Sequence, residues 1–292
     1  MPEGPEVAIK AQGIEAFLNR AGRQLVSLEQ TFYETNKRKL DTSSLFLPII
    51  IEKVYSRGKQ IILEGYDRKK LKIFIVIHLG MVGDLLFDVK GKHSHLKFVF
   101  ENNEKVENNE KTRSTMFFDD ARKFGSVHFY NKAEMKKNLA GPCLLTAARQ
   151  HYENLSLAST FQEPSSLKIW EEGLQKRIKR SRTEIYIGEF LLEQDTISGI
   201  GNYLRAEILY ECRISPKRPL KKLTKKEIST LYSKSLEVIF TAWLCQGPGK
   251  SYICGGCFPL KVYKKKECGG NKVETYLDKQ KRTVHYVPAI QK

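Results

Sequence analysis

The second residue of the chain is proline, and glutamates follow at positions 3 and 6. A small residue at position 2 favours removal of the initiator Met1, which would leave Pro2 as a free secondary amine. An α-amino group titrates near about pH 8 in reference peptides, so a useful fraction is unprotonated at neutral pH. Such an amine can attack an aldehyde-level carbon and form an iminium, a covalent intermediate. Of Glu3 and Glu6, one could protonate a leaving or ring oxygen while the other relays protons. On local physics alone, the same three residues read first as the opening turn of a helix.

A second constellation lies at Gly199-Ile200-Gly201-Asn202, where a helical run begins. Backbone amides and the helix dipole make such a start an anion site, and Asn202 adds a side-chain donor. Taken alone, it is a routine turn and cap. Two basic runs accompany it. Residues 175–182 (QKRIKRSR) hold five Lys or Arg and residues 213–226 hold seven. With Lys+Arg 50 against Asp+Glu 33, the net charge of +17 points to a polyanionic partner. A membrane surface fits the charge less well, because no basic amphipathic helix carries an aromatic face. No apolar run approaches the roughly 20 residues of a transmembrane helix. The start of the chain lacks the basic and apolar regions of a signal peptide. Six cysteines in 292 residues make no disulfide scaffold, and a reducing compartment is expected.

The elements that must hold these groups are legible as patterns. Val7, Ala11, Ile14 and Leu18 recur at helical spacing, with Gly22 beyond them. Strand-like runs follow at 49–55, 60–64, 71–79, 84–89, 96–100, 115–118 and 127–130, spaced as in an antiparallel sandwich or barrel. The near-repeat ENNEK, VENNEK over 101–111 reads as a solvated hairpin loop. Residues 131–166 are mixed in character and mark a boundary. Helices are expected at 167–180, 183–194, 202–212 and 225–245. Beyond Gly247-Pro248-Gly249, two strands at 273–277 and 283–287 flank a basic turn at 278–282.

Seven segments then occur in a recognisable order: MPEGPEV, SRGK (56–59), HLGMVG (78–83), KHSHLKF (92–98), DDARKFG (119–125), GPCLL (141–145) and SGIGNYLRAEILY (198–210). Together they resemble the formamidopyrimidine-DNA glycosylase/endonuclease VIII family of base-excision repair enzymes, over nearly the whole chain. The start MPEGPE and the GIGNYLRAEILY stretch look more like the endonuclease VIII branch.

The resemblance implies an α+β multidomain fold. An N-terminal β-sandwich with an N-terminal helix would span 1–131, a linker and the start of the C-terminal domain 132–166, a helix–two-turn–helix domain 167–247 and a finger hairpin 248–292. It implies that Pro2 attacks C1′ of a damaged nucleotide, that Glu3 protonates the sugar ring oxygen, and that Glu6 supports proton transfer. Lys59 would contact phosphate beside the nucleophile. β-Elimination and then δ-elimination would leave a one-nucleotide gap. Because C1′ is reached only in an extruded nucleotide, Met81, Arg122 and Phe124 would fill the vacated stack. A flexible thioether and a ring can wedge between bases, and Arg can bond the orphaned partner base. Asn202 would grip phosphates, and His78 and His95 are candidates to face the DNA.

The family usually ends in a zinc finger with two Cys pairs. Here Cys254 and Cys257 form one pair, Cys268 stands alone, and His285 is poorly spaced as a fourth ligand. A metal-free hairpin is therefore expected, with Arg282 as the finger arginine. Gly249-Lys250-Ser251-Tyr252 resembles a loop that touches the extruded base, which makes Lys250 and Tyr252 base-pocket candidates. The reading is a bifunctional DNA glycosylase and abasic-site lyase for oxidised pyrimidines and hydantoin-type lesions. It would act as a monomer on single- or double-stranded DNA wherever the genome resides, with no organic cofactor and no membrane partner. The alternative is a non-catalytic binder of damaged DNA on the same fold, as a blocked Pro2 would produce.

Overall fold

The computed structural model describes residues 2–30, 42, 45–102, 112–154, 166–246 and 258–292. They form two compact units, one of Met1–Pro2 with Val7–Leu139 and one of Glu3–Glu6 with Ala140–Lys292.

Helix α1 (Gly4–Ala21) opens the chain. The apolar positions that predict it, Val7, Ala11, Ile14 and Leu18, are all buried, with Phe17 and Ala21 extending the same face. In the first unit this face meets strands β1 (Gln24–Gln30), β2 (Ile49–Arg57), β3 (Gln60–Tyr66), β4 (Lys72–His78), β5 (Asp84–Phe87), β6 (Ser94–Glu101), β7 (Arg113–Asp119) and β8 (Ser126–Tyr130). The strands pair antiparallel in the order β5-β7-β6-β1-β2-β3-β4-β8. Every strand sends side chains into one core, among them Leu25, Ile49, Ile61, Ile75, Leu85, Phe98, Phe118 and Val127. A sheet whose two ends share one interior has folded over on itself, which is the expected sandwich. Register shifts at Leu25/Ser27, Ile51/Lys53 and Ser94/Leu96 give it the bends it needs. Strand β1 escapes the sequence reading because QLVSLEQ alternates weakly.

Helix α2 (Lys132–Asn138) closes this unit with a capping box between Asn131 and Glu134. The second unit contains α3 (Leu144–Glu153), α4 (Leu167–Arg180), α5 (Ile187–Phe190), α6 (Asn202–Glu211), a 3-10 turn at Leu220–Lys222 and α7 (Lys225–Gln246). Long helix α7 packs against α3, α4 and α6. Two departures from the sequence reading stand out. Helices α2 and α3 fall within 131–166, where the sequence reading names no element; the N-x-x-E of the α2 capping box is a usable local signal. The helix expected at 183–194 is a single turn, α5. Its first half is held extended, because Tyr186 bridges Pro219 and Leu220 N–H donates to Ile185 O at 2.9 Å.

The last elements are two small hairpins, β9 (Glu267–Cys268) with β10 (Asn271–Lys272) and β11 (Glu274–Leu277) with β12 (Thr283–Tyr286). Val262, Val273 and Val287 pack on Ala206 of α6. The buried Glu207 carboxylate accepts the amides of Lys261, Val262 and Tyr263 at 2.8–3.0 Å. Three charge-assisted bonds onto one helix residue fix this small region to α6. No helix among the described residues is long and apolar enough to cross a membrane.

Candidate active site and nucleic-acid interface

In the first unit, Pro2 lines a cleft of about 440 Å³ with Lys59, His78, Phe124, Ser126 and His128; Val7 and Leu79 supply apolar wall. Lys59 arrives there on a two-residue turn, since Arg57 and Gln60 pair across the β2–β3 hairpin. Gly58 takes φ +57, the left-handed conformation that such a turn asks of its first central residue. His78 ends β4 and approaches Gln60 Nε2 at 3.4 Å. Burial holds the His78 imidazole below its ordinary 6.5, and neighbouring His128 pushes the same way, so it is neutral at pH 7. Nothing in the sequence marks His128 as a site residue. It sits on β8 with its Nε2 3.0 Å from Ser126 Oγ and its ring stacked on Tyr130. His95 does not line this cleft; it is buried against Phe118.

Met81 and Phe124 are exposed at 39% and 55%, and the Arg122 guanidinium lies 4.8 Å from the Phe124 ring centroid. A core-packing role for Met81 is thereby set aside. The loop that carries Arg122 and Phe124 is built by Asp120, a carboxylate 1% exposed. It accepts Arg122 N–H at 3.0 Å and Gly125 N–H at 2.7 Å. Asp120→Ala is expected to cost about 1–3 kcal/mol, the penalty for leaving buried donors without a partner. A thermal unfolding midpoint equal to wild type would refute that role.

In the second unit, Glu3 is 1% exposed and sits at the N-terminus of α6. Its carboxylate accepts N–H bonds from Gly201 at 2.8 Å, Tyr203 at 2.9 Å and Leu204 at 3.2 Å. Residue 201 must be glycine for this approach, because a Cβ there would lie 2.2 Å from Glu3 Cδ. The sequence reading places an anion site at this Gly-Ile-Gly-Asn start. The helix N-terminus does bind an anion, and that anion is Glu3. Glu6 supports the arrangement: one carboxylate oxygen accepts Glu3 N–H and the other accepts the Tyr203 hydroxyl, both at 2.9 Å. Tyr203 is fully buried, and no local sequence signal singles it out.

Asn202 is the first residue of α6. Its Oδ1 accepts from Arg205 Nη2 at 3.1 Å, which leaves its amino group to donate. Arg205 is 1% exposed and its Nη1 donates to Gly188 O at 3.1 Å and to Asp278 Oδ2 at 2.9 Å. Asp278 in turn accepts the amides of Gln280 and Arg282 through Oδ1 at 3.0 and 2.9 Å. Arg282 therefore sits on a turn closed by Asp278 and held by Arg205. Burial pushes the Asp278 carboxyl up, but the Arg282 amide, the Arg205 guanidinium and the Gln280 amide outweigh it, and the net position is below the ordinary 3.8. Nothing in the local sequence marks Arg205, since a helical arginine usually faces water.

Lys250, Tyr252, Cys254 and Cys257 lie outside the described residues. Cys268 is described and packs, with Tyr210, against the cluster of Ala206, Val262, Val273 and Val287. His285 lies on β12 with its ring 4.9 Å from that of Tyr263. Among the described residues no three His, Cys, Asp or Glu side chains cluster as metal ligands.

Comparison with known proteins adds two family models. The N-terminal domain of formamidopyrimidine-DNA glycosylase matches residues 1–127, and the H2TH domain of the same family matches 161–251. The formamidopyrimidine-DNA glycosylases of Bacillus cereus and Streptococcus mutans are each 27% identical, cover 100% of this chain, and are themselves covered over 99% and 100%. Among solved structures, Lactococcus lactis Fpg with an abasic-site DNA superposes with TM-score 0.70 at 20% identity, over 99% of both chains. The same protein with an oxidised-pyrimidine DNA gives TM-score 0.72 at 22% identity, over 100% of both.

Proposed function

Because this chain belongs to the formamidopyrimidine-DNA glycosylase/endonuclease VIII family, we propose that its Pro2 cleft and its Glu3 mount perform base removal and strand cleavage through an iminium. The protein is a DNA glycosylase of base-excision repair with abasic-site lyase activity, and its partner is damaged DNA. With Met1 removed, the Pro2 amine attacks C1′ of the extruded nucleotide and the damaged base departs. Attack leaves a proton on the Pro2 nitrogen. Glu3, the next residue, rests as a hydrogen-bond acceptor and takes that proton. It delivers it to the ring oxygen as the sugar opens and the C1′–Pro2 iminium forms. Glu6 holds the Glu3 backbone and Tyr203 in register. Lys59 and neutral His78 face the same cleft as Pro2 and are suited to backbone phosphate and to proton transfer during elimination.

The observation that carries the reading is this pairing of adjacent residues: a proline lining a cleft with a lysine, followed by a carboxylate fixed by three amides. Exposed Met81, Arg122 and Phe124 supply the wedge for the vacated stack. The proposed substrates are oxidised pyrimidines and hydantoin-type lesions, and the proposed product is a gap bearing phosphate at both ends. Oligonucleotides carrying an oxidised pyrimidine or an oxidised purine test this directly. Faster cutting of the pyrimidine strand, with phosphates on both ends, is the expected result. Preference for the purine would overturn the substrate choice, and an unsaturated sugar end would overturn δ-elimination.

Asn202 and Arg282 are the proposed phosphate grips. Asn202→Ala and Arg282→Ala should each weaken DNA binding and lower turnover, without preventing covalent trapping at an abasic site under excess enzyme. For Arg282→Ala the slope of log affinity against log salt should fall by about 0.9, the value for one lost contact to a duplex phosphate. Unchanged affinity in both variants would refute the assignment.

A further inference from the structure

The second unit carries positively charged residues beyond those assigned above. Residues 183–187 run alongside the segment before α7: Ile187 N–H donates to Arg218 O and Leu220 N–H to Ile185 O, both at 2.9 Å. Glu184 is ion-paired to Lys221 at 3.3 Å. This brings the basic end of α4 beside the 3-10 turn and the start of α7. Lys179, Arg180 and Arg182 lie on one side, and Lys222, Lys225 and Lys226 on the other; all six are exposed. None has an ion-pair partner among the described residues, because the nearby acids are engaged. Glu184 takes Lys221, Glu189 takes Lys279, Glu193 takes Arg177 and Glu227 takes Arg218.

Two features distinguish this surface from ordinary solvated lysine. Lys225 and Lys226 occupy the first turn of α7, the positive end of the helix, where cations are locally unfavourable. A single anionic partner spanning both sides would offset that repulsion. The strip is also continuous with the finger hairpin. Lys279 Nζ donates to Glu184 O at 3.1 Å, and Lys279 is three residues from Arg282. A polymer of regularly spaced negative charge leaving Arg282 would meet Lys279 and then this strip. A single free anion would not engage both sides.

We propose that the strip formed by the end of α4 and the start of α7 is a second DNA-backbone surface, which binds duplex flanking the lesion rather than the lesion itself. This rests on the glycosylase reading. The chemistry it recognises is a run of phosphates, with no demand on base identity.

The test compares two uncleavable lesion-analogue duplexes, of about 12 and about 30 base pairs, over a salt series. Wild-type protein should bind the longer duplex more tightly and with a steeper salt slope. Lys179→Glu, Arg182→Glu and Lys225→Glu combined should weaken binding of the long duplex by tenfold or more and remove the extra slope. Affinity for the short duplex and nicking of a short cleavable one should stay within about twofold, which also shows that the variant is folded. Equal slopes for the two lengths in wild type, or a variant that keeps the long-duplex affinity, would overturn the proposal. So would tighter binding of phosphatidylserine vesicles than of the long duplex through these residues. Wild-type protein that binds neither duplex and does not nick the cleavable one would overturn the glycosylase reading itself.

Discussion

Glu3→Gln is expected to slow base release by about 10²–10⁴-fold, the usual worth of a positioned proton-transfer group. The substitution keeps the shape of the side chain. It replaces one acceptor oxygen by an amino group facing the amides of Gly201, Tyr203 and Leu204, all of which donate. One donor must then face another, so a stability loss of about 1–3 kcal/mol accompanies the kinetic one. The two effects separate when single-turnover rates are measured well below the unfolding midpoint of the variant. DNA affinity should remain within a few fold, because the proposed phosphate grips Asn202 and Arg282 are untouched. Full glycosylase activity in Glu3→Gln would contradict the assignment of Glu3 as the proton carrier.

Arg205→Met is expected to be the most destabilising single change in the second unit. It removes the guanidinium that satisfies Gly188 O, Asn202 Oδ1 and Asp278 Oδ2. Asp278 is then a buried carboxylate without its cation, a situation that costs about 3–5 kcal/mol. DNA binding should fall further than in either Asn202→Ala or Arg282→Ala, since both grips lose their support. Arg205→Lys separates stability from positioning. An ammonium can restore the charge beside Asp278, but it lacks the planar fork that reaches Asn202 as well. It should recover part of the unfolding midpoint and little of the affinity. An unchanged midpoint in Arg205→Met would refute this account. The Asp278 carboxyl sits below its ordinary 3.8 in the folded protein. Its contribution is therefore complete at neutral pH and is lost as pH falls below that value toward the folded one.

How far the sequence reveals this site depends on how local each interaction is. Helix α1, the Gly58-Lys59 turn and the hairpin around 278–282 are set by neighbouring residues, so apolar spacing and turn chemistry disclose them. Exposure of Met81 and Phe124 follows from their loops, and their order among the other motifs points to them. The partner of Glu3 lies 198 residues away at Gly201, and no periodicity carries that distance. The amides at the α6 start mark it as an anion site, and only folding shows that the chain fills it from within. Arg205 is hidden for a related reason, since burial of a helical arginine is decided by Asp278, 73 residues further on. The extended stretch before α5 reads as helix because its backbone partner, Pro219–Leu220, is also distant in sequence.

Borohydride reduction in the presence of an oligonucleotide with an oxidised pyrimidine, and in parallel one with an abasic site, tests the central claim most directly. An iminium is reduced to a stable amine, so the account predicts a covalent protein–DNA adduct on both substrates, mapped by peptide mass to Pro2 of protein lacking Met1. No adduct on either substrate from such protein, or an adduct mapped to Lys59 instead of Pro2, would contradict it.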